Sequence, residues 1–171
     1  MPIRKLLAAA GLAAAALSSS PALAATPLTQ ADGKALVLIP LTITKIDDLD
    51  FGSIVPSATA GTVTINPTDG SRSFTGGVTL VPGDAGFRAY FGGAGSPNQQ
   101  LLVALSPPVS LSDGVGHSIP VVGLTLDGPP MRTIDATTRA FFVGVGGTLG
   151  IGANQFEGTY SGNFWVTAIY Q

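Results

Sequence analysis

Apolar and polar side chains alternate with a period of two along most of this chain, most sharply at its end. From Gly158 to Gln171, the residues Tyr160, Gly162, Phe164, Val166, Ala168 and Tyr170 fall on one side. Thr159, Ser161, Asn163, Thr167 and Gln171 fall on the other. This pattern predicts a half-buried β-strand, because successive side chains of a strand point to opposite faces of its sheet. Trp165 and Ile169 are the large apolar residues on the polar side, which marks that face for contact with a partner or a loop.

The same periodicity predicts a first strand over Lys34–Lys45, with Ala35, Val37, Ile39, Leu41 and Ile43 on one side. Pro40 lies inside it and has no N–H to give a ladder, so the strand sits at an edge or carries a bulge there. Gly61–Asn66 alternates cleanly, and further strands are expected near Ser73–Val81, Ala85–Phe91, Gln100–Ser106 and Ile119–Asp127. Another covers Arg139–Val145 and runs on towards Ile151. The breaks between them are rich in Gly, Pro, Asn and Asp, as in Pro67-Thr68-Asp69-Gly70 and Asp127-Gly128-Pro129-Pro130. With no helical period over a useful length, the expectation is an all-β chain: one antiparallel β-sandwich, immunoglobulin-like or pilin-like, of about eight strands.

The beginning of the chain has a different character. Arg4 and Lys5 precede an apolar run from Leu6 to Leu17, Ser18–Pro21 breaks it, and Ala22-Leu23-Ala24 supplies small residues before a cut. This is the layout of a secretory signal peptide over residues 1–24, with cleavage between Ala24 and Ala25 and the sandwich domain over 25–171. The apolar run is about 12 residues, short of the about 20 a membrane helix needs, and no later stretch qualifies. The expected location is therefore outside the cytoplasm: periplasm, cell surface or extracellular space.

Composition narrows the function further. Loss of the leader leaves six basic residues against ten acidic ones, an imbalance that argues against nucleic acid as a partner. The chain has no cysteine, so packing and hydrogen bonds alone must hold the domain. Chemistry is sparse. His117 is the one histidine; it reads as a solvated loop residue, and no Gly-x-Ser-x-Gly elbow accompanies it. Asp47, Asp48 and Asp50 lack the ordered spacing of a calcium loop and read as a turn. The glycines of Gly144–Gly152 fail the dinucleotide fingerprint and read as sites of bulging or close backbone approach. Tyr90, Phe91, Tyr160, Trp165 and Tyr170 are the aromatics a sugar platform would use, but most of them fit core or sheet positions. No catalytic residue, metal site or cofactor is expected.

Three segments taken together resemble a known family: Leu41-Thr42-Ile43-Thr44-Lys45 leading to Leu49-Asp50-Phe51-Gly52; Gly61-Thr62-Val63-Thr64-Ile65; and Gly152-Ala153-Asn154-Gln155 leading to Gly158-Thr159-Tyr160-Ser161-Gly162 and Val166-Thr167-Ala168-Ile169-Tyr170. The family is the exported bacterial domain of unknown function 4402. The resemblance covers nearly the whole chain after the leader and implies export and an all-β fold, without an established activity. The terminal strand is also similar to that of chaperone–usher pilus subunits and spore-coat-U-like secreted pilins, which carry a Gly fourteenth from the end and a penultimate Tyr. Gly158 and Tyr170 occupy those two places. That similarity implies a sandwich short of one strand, completed by a periplasmic chaperone or by a neighbouring subunit.

Two features depart from the pilins. Leu28 is the one large apolar residue of Ala25–Gly33, which makes that tail a poor donor strand, and the disulfide of many subunits is absent. Leu36–Ile43 is the other segment with donor character. The expected function is a non-enzymatic surface-assembly subunit, with Gly158, Tyr160, Phe164, Val166, Ala168 and Tyr170 as the pairing segment and a chaperone or copies of itself as partners. A self-contained secreted module that binds glycan or protein is the second reading.

Overall fold

A computed structural model describes residues 28–171. The expected signal segment, with its cut at Ala24 and Ala25, lies outside the described residues. Leu36–Gln171 forms one compact unit; residues 28–35 are exposed and carry no strand.

The described residues contain ten strands and no helix: β1 (Thr42–Asp47), β2 (Ile54–Ile65), β3 (Arg72–Leu80), β4 (Ala89–Ala94), β5 (Gln100–Ser106), β6 (Ser110–Ser112), β7 (Ser118–Leu126), β8 (Met131–Thr133), β9 (Ala140–Ile151) and β10 (Trp165–Tyr170). They form two antiparallel sheets, one of seven strands and one of three in the order β10-β5-β8. The sandwich is therefore as expected, and the two strands beyond about eight are the three-residue β6 and β8.

The larger sheet is built on β9. Val145 pairs with both Ala89 and Leu126, and Leu149 pairs with both Val63 and Val121. It follows that β7 runs along one edge of β9, while β2 and β4 share the other edge end to end. Arg88 holds the changeover between them. Its guanidinium donates to the carbonyls of Pro67 and Thr68, where β2 has just ended. The inward residues of β9 (Phe141, Val143, Val145, Leu149 and Ile151) are all buried. Full burial of such a side chain stabilises the fold by about 1.5–3 kcal/mol. The outward positions include Gly144 and Gly146, and a Cβ on Gly146 would collide with the Ile65 carbonyl. The Gly-rich stretch thus serves close backbone approach.

Two expected strands are shorter than their patterns. The first begins at Thr42 rather than Lys34. Pro40 withholds an N–H, and no neighbouring strand pairs with residues 36–41. The terminal strand begins at Trp165 rather than Gly158. Its alternation persists back to Tyr160, which is half-buried like Phe164. However, the neighbouring β6 is only three residues long, and it offers a single bridge, between Ser112 and Ser161. Similarly, Phe87 makes an isolated bridge with Asp50, and regular pairing of β4 starts at Ala89.

Gly146→Ala is expected to cost about 1–3 kcal/mol by forcing the backbones apart. Gly123→Ala, which has nothing within 4 Å of the added methyl, should stay within about 0.5 kcal/mol of wild type. Denaturant titration of the two variants checks this, and equal effects would contradict the close-approach account.

Candidate strand-acceptor site

The two sheets do not match in size, and the mismatch creates the site. The apolar interior falls into two clusters. One lies between the sheets: Ala89, Phe141, Val143 and Val145 from the larger face Leu101 and Val103 from the smaller, with Val166, Ala168 and Tyr170 of β10 against them. The other contains Phe51, Val63, Ile65, Val78, Ile119, Leu149 and Ile151 and has no member from β5, β8 or β10. Its cover comes instead from Leu49, Ile54, Leu111 and Tyr160.

This half of the interior is buried, but under loops and short segments through which clefts pass. A cleft of about 540 Å³ reaches Phe51, Ile119, Leu149 and Ile151, with residues 155–160 as one wall and Leu49–Ile54 as another. A second cleft of about 330 Å³ adjoins it, walled by Lys45, Leu49 and Phe91 and by Tyr160–Phe164. The two share Leu49, Phe51, Leu111 and Tyr160. Together they follow the stretch where the terminal alternation continues without a regular strand.

Next to this opening, β10 has one bonded edge and one free edge. It pairs with β5 in unbroken register, Trp165 with Ser106 through Tyr170 with Leu101. The Gln171 N–H donates to the Gln100 carbonyl at 3.1 Å. Bonded pairs recur every second residue in an antiparallel ladder, so Trp165, Thr167 and Ile169 bond β5. The N–H and C=O groups of Val166, Ala168 and Tyr170 point away from it. Among the described residues no strand takes them. The edge has no charge, no proline and no bulge, the usual devices against unwanted pairing.

The expected pairing residues divide accordingly. Phe164, Val166, Ala168 and Tyr170 point inward with Tyr160, and Gly158 is exposed against Asp113. Trp165 (64% exposed) and Ile169 (55%) lie on the outer face. The aromatics do not form one platform. Tyr90 stacks on Phe142 at 5.7 Å on the larger sheet, Trp165 stands on the smaller one, and Phe91, Tyr160 and Tyr170 are half-buried.

Tyr170 has a role that alternation did not signal. Its hydroxyl donates to the Ile39 carbonyl at 2.9 Å and accepts from the Ser96 N–H at 2.7 Å. The Ile39 N–H in turn donates to Ser96 Oγ at 2.9 Å. The penultimate residue therefore ties the arm ahead of β1 to the connection after β4. Beyond that tie, Leu36 (74% exposed) and Val37 (91%) have no cover.

His117 is less solvated than a loop position suggests. Its Nδ1 lies 2.6 Å from Asp113 Oδ2, and its ring stacks on Phe156 of the cleft wall at 4.1 Å. Burial pushes the Asp113 carboxyl up, but the Val115 N–H and the His117 ring and N–H outweigh it, leaving the group below its ordinary value. Of the acidic triplet, Asp48 pairs with Lys45 and Asp50 accepts from the Gly52 N–H, as a turn requires.

The chain belongs to the family named Domain of unknown function (DUF4402), whose model matches residues 41–170. No curated protein and no solved structure matches it. The matched stretch opens one residue ahead of β1 and closes on the last residue of β10. The family unit is thus the strand framework, with Leu36–Pro40 ahead of it.

Tyr170→Phe removes both bonds of the hydroxyl and leaves the Ser96 N–H and the Ile39 carbonyl without it, a loss of about 1–3 kcal/mol. Amide exchange at Ile39 and Ser96 should quicken in that variant; unchanged protection at both would sink the tie. Asp113→Asn is expected to lower the melting temperature at neutral pH. A carboxyl with a depressed folded pKa contributes above its unfolded value, about 4, and the contribution is lost as pH falls through the folded pKa. The gap between variant and wild type should therefore close in acid, which melting curves from pH 7 downwards would record.

Proposed function

We propose that this protein is an exported, non-enzymatic assembly subunit that accepts a β-strand from another chain along β10 and the adjoining cleft. The observation that carries the reading is the coincidence of two deficits at one place. An uncharged strand edge has unused hydrogen-bonding groups, and just ahead of it, at Tyr160–Phe164, clefts reach towards the half of the apolar interior that the smaller sheet leaves uncovered. An added strand that pairs with Val166, Ala168 and Tyr170 and runs on past Phe164 answers both, its backbone using the free edge and its side chains beyond Phe164 entering the clefts. The partner is a periplasmic chaperone or a second copy of the chain. The protein acts after export, with the leader through Ala24 removed.

The chain also has a segment of donor chemistry. Leu36-Val37-Leu38-Ile39 is apolar, β-prone and unpaired by any strand. Because β1 starts only at Thr42, donating this arm costs none of the β1–β4 pairs and releases only the bonds of Ile39 to Tyr170 and Ser96.

Ala168→Pro separates pairing from folding. It deletes an N–H on the free edge and leaves the bonds to β5, whereas Thr167→Pro removes a ladder bond. Periplasmic wild-type protein made alone is expected to form large species by size exclusion and negative stain, or to accumulate only with an assembly chaperone. A168P should shift to monomer with its fold retained, and T167P should lose the fold. A wild-type chain that stays a heat-stable monomer at high concentration contradicts the proposal.

A further inference from the structure

We infer that the strand accepted along β10 is apolar on both of its faces, with Trp165 and Ile169 on the outer face of the smaller sheet helping to choose it. Its occupant is the arm Leu36-Val37-Leu38-Ile39 of a second copy. The inference rests on the strand-acceptance reading and adds what kind of strand is accepted.

A half-buried strand ordinarily turns polar side chains to solvent, and β10 does so only at Thr167. Trp165 and Ile169 stand exposed on either side of it. Ile169 registers with Leu102 of β5, and Leu102 with Met131 of β8, so one apolar row crosses all three strands. The other outward positions of the sheet are Gln100, Ala104, Ser106 and Thr133, and none is charged. Arg132 of β8 registers instead with the buried Leu101 and donates to the Phe142 carbonyl and to Asp127. A strand added at the free edge therefore has apolar neighbours on both sides: Val166, Ala168 and Tyr170 inward, Trp165 and Ile169 outward. Strands with apolar surroundings on both faces are continuous apolar runs rather than alternating ones.

The arm is such a run. Its four side chains are all large and apolar, without the alternation of Gly61–Ile65 or of the terminal segment. Leu36, Val37 and Ile39 are exposed. Four residues at about 3.3 Å each run about 13 Å, the length of edge from Val166 to Tyr170. Arm, edge and outer face are all uncharged, so pairing removes no charge from water. The arm cannot readily serve its own β10. Its root is tied to Tyr170, and β1 leaves that tie towards Phe164, since Lys45 and Phe164 border the same cleft. Lying along the same edge would require the chain to reverse within Pro40 and Leu41, whereas a following proline keeps Ile39 extended. A second copy meets no such turn.

A labelled, end-capped peptide of residues 32–40 serves as the probe, with L36T/L38T and V37T/I39T versions that each alter one face. Binding to the exported chain is followed by fluorescence anisotropy for wild type, A168P and W165T/I169T, the last changed only at exposed positions. Wild type should bind the unaltered peptide, and each Thr version about fivefold more weakly, as two lost cross-strand contacts imply. W165T/I169T should also lose about fivefold for the unaltered peptide, and on it one of the two Thr versions should lose nothing more, which identifies the outward pair. A Thr version that binds wild type as well as the unaltered peptide shows that one face goes unread; it overturns the inference and leaves strand acceptance standing. Fully additive losses place the outward pair away from Trp165 and Ile169 and overturn it too. Undiminished binding to A168P puts the peptide off the free edge and overturns both readings. Absence of binding to wild type overturns the arm as occupant, and the size-exclusion profile of the chain made alone then decides strand acceptance by itself.

Discussion

The structure depends on a mismatch between its two sheets. Strand β9 carries twelve residues with every second side chain turned inward, and β2, β4 and β7 all register against it. That hub gives the larger sheet an apolar face from Phe141 to Ile151. The three-stranded sheet covers only the end nearer Phe141. Water must be kept from the remaining face by Leu49, Leu111 and Tyr160, which stand on short or irregular segments. Exposed apolar surface is costly in proportion to its area, and loops cover it less completely than a strand would. The clefts are the remainder of that incomplete cover.

The same mismatch explains the behaviour of the chain around the edge of the smaller sheet. The terminal segment keeps its inward side chains from Tyr160 to Tyr170, yet it is a strand only where β5 is long enough to pair with it. Upstream it becomes a wall of the clefts. At its far end the Tyr170 hydroxyl fixes Ile39 and Ser96, residues distant in sequence. Gly95 is where this tie needs space: a Cβ there would stand 2.6 Å from the Tyr170 hydroxyl and 2.8 Å from Leu41 Cδ1. One residue thus closes one end of the sandwich while the backbone beside it remains open.

Much of this was legible in the sequence, for a physical reason: period-two burial is written residue by residue. Val63 and Ile65 inward, Thr62 and Thr64 less buried, and Phe164, Val166, Ala168 and Tyr170 inward are all direct readings of side-chain alternation. So is the refusal of Pro40 to join a ladder. The lengths of the strands were less legible, because a strand exists only where a neighbour reaches. Lys34–Leu41 and Gly158–Phe164 have the pattern of strands and lack the partner. The stack of His117 on Phe156 and its bond to Asp113 had no local signal either, since Phe156 reaches His117 only through the path of the chain after β9.

The all-β class, the inward set of residues, the turns and the family were all written in the chain, because each depends on local pattern and turn chemistry. That one sheet has seven strands and the other three, that β10 lies at an edge, and that Leu49, Phe51, Leu111 and Tyr160 border both clefts emerges only from the packed fold. Those features depend on which strands become neighbours. Non-local pairing is settled by the competition of all strands for the same apolar face, and no single segment records its outcome.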